Sequence, residues 1–208
     1  RRLADDYAAL IALDPESHRH MRALGRNMLP LRRHEPGVLE VEARRMALQT
    51  HDVWQAGGYT WVYFDALATE PAVIELLDGD LFVEGMRNII KRQRNQHIVN
   101  QFAAFCAITM APCQRKNALS RRAEATRAQL HDCLGWLLSD HLQELHPLIW
   151  SQTLLAPGST TRLPPRRALV QKGRQTALRI IAARFSGEIA DGSSIAFSPC
   201  GMYRLPAL

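Results

Sequence analysis

The sequence predicts an all-α fold of antiparallel helix pairs that ends in a small β-hairpin. Apolar residues recur at helical spacing along most of the 208 residues. Turn signals rich in proline and glycine separate these stretches, as expected between neighbouring antiparallel helices. Near the end of the chain, two short β-prone runs flank Pro199-Cys200-Gly201 and predict the hairpin. A composition of 47% hydrophobic and 22% charged residues suits a globular fold and excludes collagen, low-complexity and disulfide-framed chains.

The first four helices are predicted from apolar stripes that each end at a proline, a glycine or a polar turn. In order, these are a helix from Leu3 to Asp14, a second over Glu16–Leu29, a third that carries Leu39 to Trp54 and ends at Gly57-Gly58, and a fourth over Tyr59–Thr69. The fourth helix is dense in aromatic residues. These aromatic residues could form a stacking platform for ligands or could lie in the core. The core is favoured because they face all sides of a helix.

Residues that can cap a helix mark the starts of the next three. Asp78, Asn95 and Ser120 each precede an apolar stripe, and their side-chain oxygens suit the N-cap position. The second of these helices is nearly all apolar from Phe102 to Met110 and is therefore expected to be central. The rest of the chain is predicted as a long helix from Ser120 that ends before Pro147, a linker at Ala156–Pro165, a last helix over Arg166–Ile189, and strands at Ile195–Ser198 and Met202–Leu205.

Seven or eight helices are thus expected, in three parts of the chain. Residues 1–155 form a helical-repeat-like array, residues 156–165 form a linker, and residues 166–208 form a basic helix and a β-hairpin packed on the same domain. An internal similarity supports the array, since Leu39–Arg45 resembles Leu81–Arg87 at an offset of 42 residues. A helix pair that repeats near this period is typical of α-solenoids.

The segment Trp54–Trp61 (WQAGGYTW) echoes the motif W-x2-L-G-x2-Y, with glycine in place of leucine and tryptophan in place of tyrosine. On this basis residues 37–111 resemble tetratricopeptide-like helical-repeat proteins. Glu70, Ile74 and Phe82 stand where the family has its later alanine, phenylalanine and proline. The resemblance implies a helix-pair architecture and a role as a protein-binding scaffold.

Charge is distributed unevenly along the chain. The formal net charge is +6, yet no aspartate or glutamate occurs from His146 to Gly187. That window holds seven basic residues, whereas the rest of the chain carries 19 basic and 20 acidic residues. An anionic partner is therefore expected to bind the basic residues of the window, which are Arg162, Arg166, Arg167, Lys172, Arg174, Arg179 and Arg184.

Two uses of this basic window remain open. Its residues could form ion pairs with acidic residues elsewhere in the chain, or they could contact the phosphates of a nucleic acid. On a helical wheel, Lys172 and Arg179 lie opposite the apolar arc. Arg174 and Arg184 lie within the arc or at its margin, where they must extend to solvent or pair with acids.

A metal-dependent phosphohydrolase of the HD class is a further hypothesis. Such enzymes hold a divalent metal with an ordered His…His-Asp…Asp set. The order is satisfied by His18 or His20, then His51-Asp52, then Asp132 or Asp140. Neighbouring residues on a helix point about 100° apart, so a His-Asp dyad alone does not form a chelate. The metal-ligand set of this hypothesis is His51, Asp52 and Asp132.

Other chemistry is excluded or left without a signal. The sequence has no Walker loop, no G-x-G-x-x-G and no G-x-S-x-G motif. No two of its four cysteines have C-x-x-C spacing, and Cys106 lies in an apolar run where a buried, inert thiol is expected. The cysteine pattern, with no visible signal peptide, predicts a reducing, cytoplasmic setting. No apolar run is long enough for a bilayer, so we expect no membrane partner.

The favoured interpretation is a non-catalytic helical scaffold that binds another protein and needs no cofactor. Its basic C-terminal surface would contribute contacts with an anionic surface. The HD-type phosphohydrolase and a nucleic-acid-binding protein that uses residues 162–184 are the two alternatives.

Overall fold

Helices make up most of the chain, and one two-stranded antiparallel sheet follows them. The structure is a computed structural model that describes residues 2–32, 34–35, 37–112, 119–154 and 163–206. The all-α class and the C-terminal hairpin predicted from the sequence are confirmed. The helices are α1 (Arg2–Leu13), α2 (His18–Asn27), α3 (Val38–Gln49), α4 (His51–Trp54), α5 (Gly57–Thr69), α6 (Gly79–Arg92), α7 (Gln96–Ala104), α8 (Arg121–Asp132), α9 (Leu134–Trp136), α10 (Pro147–Thr153), α11 (Arg166–Arg184) and α12 (Ser186–Ala190).

Short 3₁₀ and π-helical turns join several of these helices. The 3₁₀ turns are Pro30–Arg32 and Pro71–Leu76, and the π-helical turns are Phe105–Thr109 and Leu137–His141. The strands are β1 (Ser194–Ser198) and β2 (Gly201–Leu205), paired so that Ser198 faces Gly201. No helix among the described residues is both long and apolar enough to cross a membrane.

Contacts divide the chain into two units. Unit 1 comprises Arg1–Gln93 with Pro112–Gln129, and unit 2 comprises Arg94–Ala111 with Leu130–Leu208. The division of the sequence into an array, a linker and a terminal segment stays a prediction, and most of the linker lies outside the described residues.

The core of unit 1 is built around α5, against which α2, α3 and α6 pack. Ten of its residues from Gly57 to Leu67 are buried, so this helix is buried on nearly all sides. Close approach is possible because Gly25 of α2 has no side chain, and a Cβ there would overlap the backbone of Val62. The aromatic residues of α5 lie in the core, as favoured from the sequence: Tyr59, Trp61, Tyr63 and Phe64.

The core of unit 2 forms where α10 packs on α7 and α11 packs on α10. The apolar segment from Phe102 onwards is buried, as predicted for a central helix, and Cys106 is fully buried. The two strands follow α12, which contacts β1.

All three predicted helix caps are confirmed by their hydrogen bonds. The backbone N–H groups of Leu81 and His97 donate to the side chains of Asp78 and Asn95. Ala123 likewise donates to the hydroxyl of Ser120.

Several helix boundaries differ from the sequence prediction. The third predicted helix is two helices, α3 and α4, and Gly57 begins α5 instead of ending a helix. Backbone reversal at Gln55, whose φ is 53° and ψ is −127°, ends α4 before the glycines are reached. The predicted long helix from Ser120 is divided into α8, α9 and a π-helical turn, and the last predicted helix breaks at Phe185 between α11 and α12.

Candidate functional site

The basic residues of the C-terminal window lie on the exposed surface of α11. All six that the structure describes are exposed: Arg166, Arg167, Lys172, Arg174, Arg179 and Arg184. Arg162 lies outside the described residues. No acidic residue occurs in the 19 residues of α11. The helix therefore presents cations without acidic residues between them.

Packing against α10 determines which side of α11 is exposed. The buried residues recur every four positions and are Leu169, Gly173, Ala177 and Ile181. A Cβ on Gly173 would overlap the carbonyl oxygen of Pro147 and lie 2.9 Å from the backbone nitrogen of Ser151. The two helix backbones therefore approach each other closely at Gly173, and the basic side chains lie on the exposed part of the α11 surface.

Asn100 in turn connects α7 to the start of α10. Its side-chain oxygen accepts hydrogen bonds from the His146 backbone N–H at 2.9 Å and from Trp150 Nε1 at 3.0 Å. Its amide donates to the carbonyl oxygens of Gln96 and Glu144. Because the Asn100 side chain is fully buried, all four bonds stabilise the support on which α11 packs.

The arginines of α11 differ from several arginines elsewhere in how they are paired. Arg22 of unit 1 forms a two-point hydrogen-bonded ion pair with Asp65, and Arg44 bridges Glu40 and Asp78. By contrast, within the described part of the chain none of the six cations of α11 forms an ion pair or a side-chain hydrogen bond. Pairing with the acidic remainder, one of the two uses open from the sequence, is therefore not observed for these residues.

One α11 cation makes a close contact with another part of unit 2. The guanidinium of Arg184 lies over Gly135, whose absent Cβ would be 2.6 Å from its Nη2 atom. Arg184 and Arg174, expected at the margin of the apolar arc, both extend to solvent. Both side chains therefore extend along the protein surface to water and form no ion pair with another described residue.

The residues of the metal hypothesis are not brought together as a ligand set. His51 Nδ1 lies 4.0 Å from Asp52 Oδ1, and both side chains are highly exposed, at 70% and 107%. Both belong to unit 1, whereas Asp132 belongs to unit 2 and is exposed. Across the residues that the structure describes, no three His, Cys, Asp or Glu side chains form a group that could hold a metal ion.

A polar network that the sequence did not indicate lies beside α5. Glu40 Oε2 accepts hydrogen bonds from the hydroxyls of Tyr59 at 2.6 Å and Tyr63 at 2.8 Å. Arg44 donates to Glu40 and to Asp78, and the backbone N–H of Asp78 donates to the Tyr59 hydroxyl. Burial raises the pKa of both tyrosines far above the usual value. The pKa of Asp78 is lowered by its bond from the Leu81 N–H and by Arg44. These groups are engaged with one another, so the network is structural.

The described residues of unit 1 line open grooves, of which two are large enough to consider. One of about 390 Å³ is lined by residues of α3, α4 and α6, including His51, Gln55 and Glu84. The other, of about 460 Å³, lies between α1 and α3 and is lined by Leu3, Val41 and others. Neither groove brings together a set of acidic, basic or nucleophilic side chains that would suit a catalytic site.

The Cys106 thiol of unit 2 is poorly suited to act as a nucleophile. Burial raises the pKa of the Cys106 thiol well above its usual value, so its thiolate is disfavoured. Burial also lowers the pKa of His141. The charge of Asp140 raises this pKa in part, and the charge of Arg94 lowers it further. His131 Nδ1 lies 2.9 Å from the carbonyl oxygen of Cys106, a contact to backbone and not to the sulfur.

Of the residues singled out from the sequence, the structure thus assembles the cations of α11 on one helix. The missed groups are the Glu40 network and two exposed glutamines of α11, Gln171 and Gln175, which a helical wheel could have placed between the cations. Compared with known proteins, the chain matches no protein-family model, no curated protein and no solved structure.

Proposed function

We propose that this chain binds nucleic acid through the exposed basic surface of α11. One observation carries the proposal: six cations lie on a helix that has no acidic residue, and none of them is paired within the described part of the chain. Arginines and lysines that are not paired within the protein can neutralise phosphates and so release the counterions condensed on the nucleic acid. This release is the main source of nucleic-acid affinity. Arginine predominates in the set, and its planar guanidinium suits bidentate contact with phosphate.

The start of α11 supports the same partner. Arg166 and Arg167 occupy the first turn, where the positive end of the helix dipole favours acidic residues. Two cations there are unfavourable in the free helix and become favourable when an anion is bound nearby. A polyanion would thus stabilise a helix whose own charges oppose it.

A charge-matched pair of variants tests this function. In one variant, Arg167, Arg174 and Arg179 are replaced by glutamine. We expect its affinity for a DNA duplex of about 20 base pairs to fall at least tenfold at about 0.1 M salt. The slope of log K against log salt should become shallower by about one for each contact removed. Fluorescence anisotropy titrations at several salt concentrations measure both quantities.

The control replaces Arg2, Arg19 and Lys91, three exposed cations of unit 1 that also lack ion pairs among the described residues. Each variant loses three positive charges from a net charge of +6, so the two differ only in where the charge is lost. Equal losses of affinity in both would contradict a role for α11 and indicate a diffuse effect of net charge.

A protein-binding scaffold is the second candidate, and the groove between α1 and α3 favours it. Leu3 is 43% exposed and Val41 is 65% exposed, so this groove presents an apolar surface. The tetratricopeptide-like resemblance supports the same role. This candidate gains weight if the chain binds no nucleic acid in the titrations above.

A reducing, cytoplasmic setting is part of the proposal. Within the described residues, Cys106 and Cys200 are free thiols, and Cys106 is buried. Free thiols are typical of proteins kept in a reducing compartment.

A further inference from the structure

The exposed face of α11 has an order that goes beyond its total charge. Arg167 and Arg174 are seven residues apart, and so are Lys172 and Arg179. Seven residues are about two helical turns, so the members of each pair lie on one side of the helix, roughly 10 Å apart along it. The two pairs are about 140° apart around the helix axis. Two rows of cations therefore run along α11 with a strip of surface between them.

The strip between the two rows is neutral. Its residues are all exposed: Ala168, Gln171, Gln175, Leu178 and Ala182. Neither glutamine forms a side-chain hydrogen bond within the described part of the chain, so both amides are available to a partner. A glutamine amide can pair with the major-groove edge of adenine, and small apolar side chains can contact the methyl group of thymine.

The composition of this face distinguishes between kinds of nucleic acid. Single strands are bound largely by stacking bases on aromatic side chains. The 19 residues of α11 include no aromatic residue, and Phe185, which directly follows the helix, is buried. The major groove of B-form DNA is about 12 Å wide and admits an α-helix, whereas that of A-form RNA is too narrow.

Building on the proposed function, we infer that α11 enters the major groove of double-stranded DNA. The two rows of cations contact the phosphates on either side of the groove, and Gln171 and Gln175 face the base edges. The cations supply affinity and the glutamines supply preference for sequence.

Three probes of equal length and sequence test the form of nucleic acid. These are a DNA duplex, its single strand and the matching RNA duplex, each of about 20 residues per strand and titrated at about 0.1 M salt. We expect the DNA duplex to bind at least tenfold more tightly than either of the others. Binding of the single strand or the RNA duplex as tightly as the DNA duplex would overturn this inference and leave the proposed function intact. If none of the three binds even at low salt, both fail.

A second experiment tests the glutamines. DNA duplexes selected from a random library by the unaltered chain are compared with unselected duplexes. We expect Gln171→Ala with Gln175→Ala to reduce the preference for selected duplexes about tenfold or more and to leave the salt slope unchanged. Gln152→Ala, an exposed glutamine on α10, serves as the control and should retain the preference. An undiminished preference in the double variant would overturn the assignment of these residues.

Discussion

At Gln55 a residue other than glycine adopts a backbone conformation that side chains disfavour. Its φ is 53°, and within the described residues no other non-glycine residue has a positive φ. The neighbouring groups hold it there: Trp54 is buried and donates from Nε1 to the Pro15 carbonyl oxygen, and the Ala56 N–H donates to Asn88. Such a conformation costs about 1–3 kcal/mol and persists only because the surroundings enforce it.

Gln55→Gly is therefore expected to stabilise the protein. Glycine adopts this conformation without strain. The strain energy relieved exceeds the cost of the extra conformational entropy that glycine gives the unfolded chain, so the free energy of unfolding should rise by about 1 kcal/mol. Urea unfolding followed by circular dichroism measures the free energy of unfolding. Gln175→Gly on the exposed face of α11 is the matched control and should lower stability by about 1 kcal/mol, because glycine is a poor helix former. A loss of stability in both variants would show that the backbone at Gln55 is not strained.

The sequence could not have revealed this position. Glycine is the residue that signals such a turn, and Gly57-Gly58 follow only two residues later. The prediction therefore assigned the break to the glycines, whereas the structure uses them for close packing: a Cβ on Gly58 would meet the carbonyl oxygen of Met46. The constraint on Gln55 comes from side chains distant in sequence, which a local pattern does not contain.

At the level of elements, the position of α11 depends on the small residues that face α10. Replacing Gly173 with alanine would place a methyl group against the backbone of Pro147 and Ser151, where neither side can yield by rotating a side chain. We expect a loss of about 1–3 kcal/mol in the free energy of unfolding, as for other overpacked sites. Gly187→Ala in α12 is the control, since its added Cβ meets nothing within 4 Å.

The control should have the opposite sign. Alanine is a better helix former than glycine, so Gly187→Ala is expected to raise stability by up to about 1 kcal/mol. Both variants are measured in the same urea titrations. If Gly173→Ala were as stable as the unaltered chain, α10 and α11 could not be as close as described.

Helices whose starts carry a strong local signal are predicted correctly from the sequence. Helices that the structure divides into shorter segments are not. Asp78, Asn95 and Ser120 cap helices through bonds within three residues, which makes them visible in sequence. The π-helical turns at 105–109 and 137–141 have no such local signal. The cations of α11 were found from the sequence, but whether they pair with acids depends on distant residues, so the structure had to decide it.

At the scale of the whole molecule, stability is expected to vary with pH at both ends of the range. Tyr59 and Tyr63 have pKa values raised far above 10.0 by burial, so the folded protein keeps protons that the unfolded chain releases above pH 10. Their contribution is complete below pH 10 and declines as the pH rises. Asp78, with its pKa below 3.8, contributes above that pH and ceases to contribute as the pH falls through its folded value. Unfolding is thus promoted at both extremes.

Two variants separate the alkaline and acid effects. Tyr59→Phe with Tyr63→Phe should lower stability at pH 7, because Glu40 loses two donors, yet its decline above pH 10 should be shallower by up to about 1.4 kcal/mol per pH unit for each tyrosine. Asp78→Asn keeps a residue able to cap α6 but removes the charge that faces Arg44, so the decline below pH 4 should be the shallower one. Urea unfolding from pH 3 to pH 11 measures both. If the double phenylalanine variant kept the alkaline slope of the unaltered chain, the two hydroxyls would titrate as they do in the unfolded chain. That result would contradict the prediction.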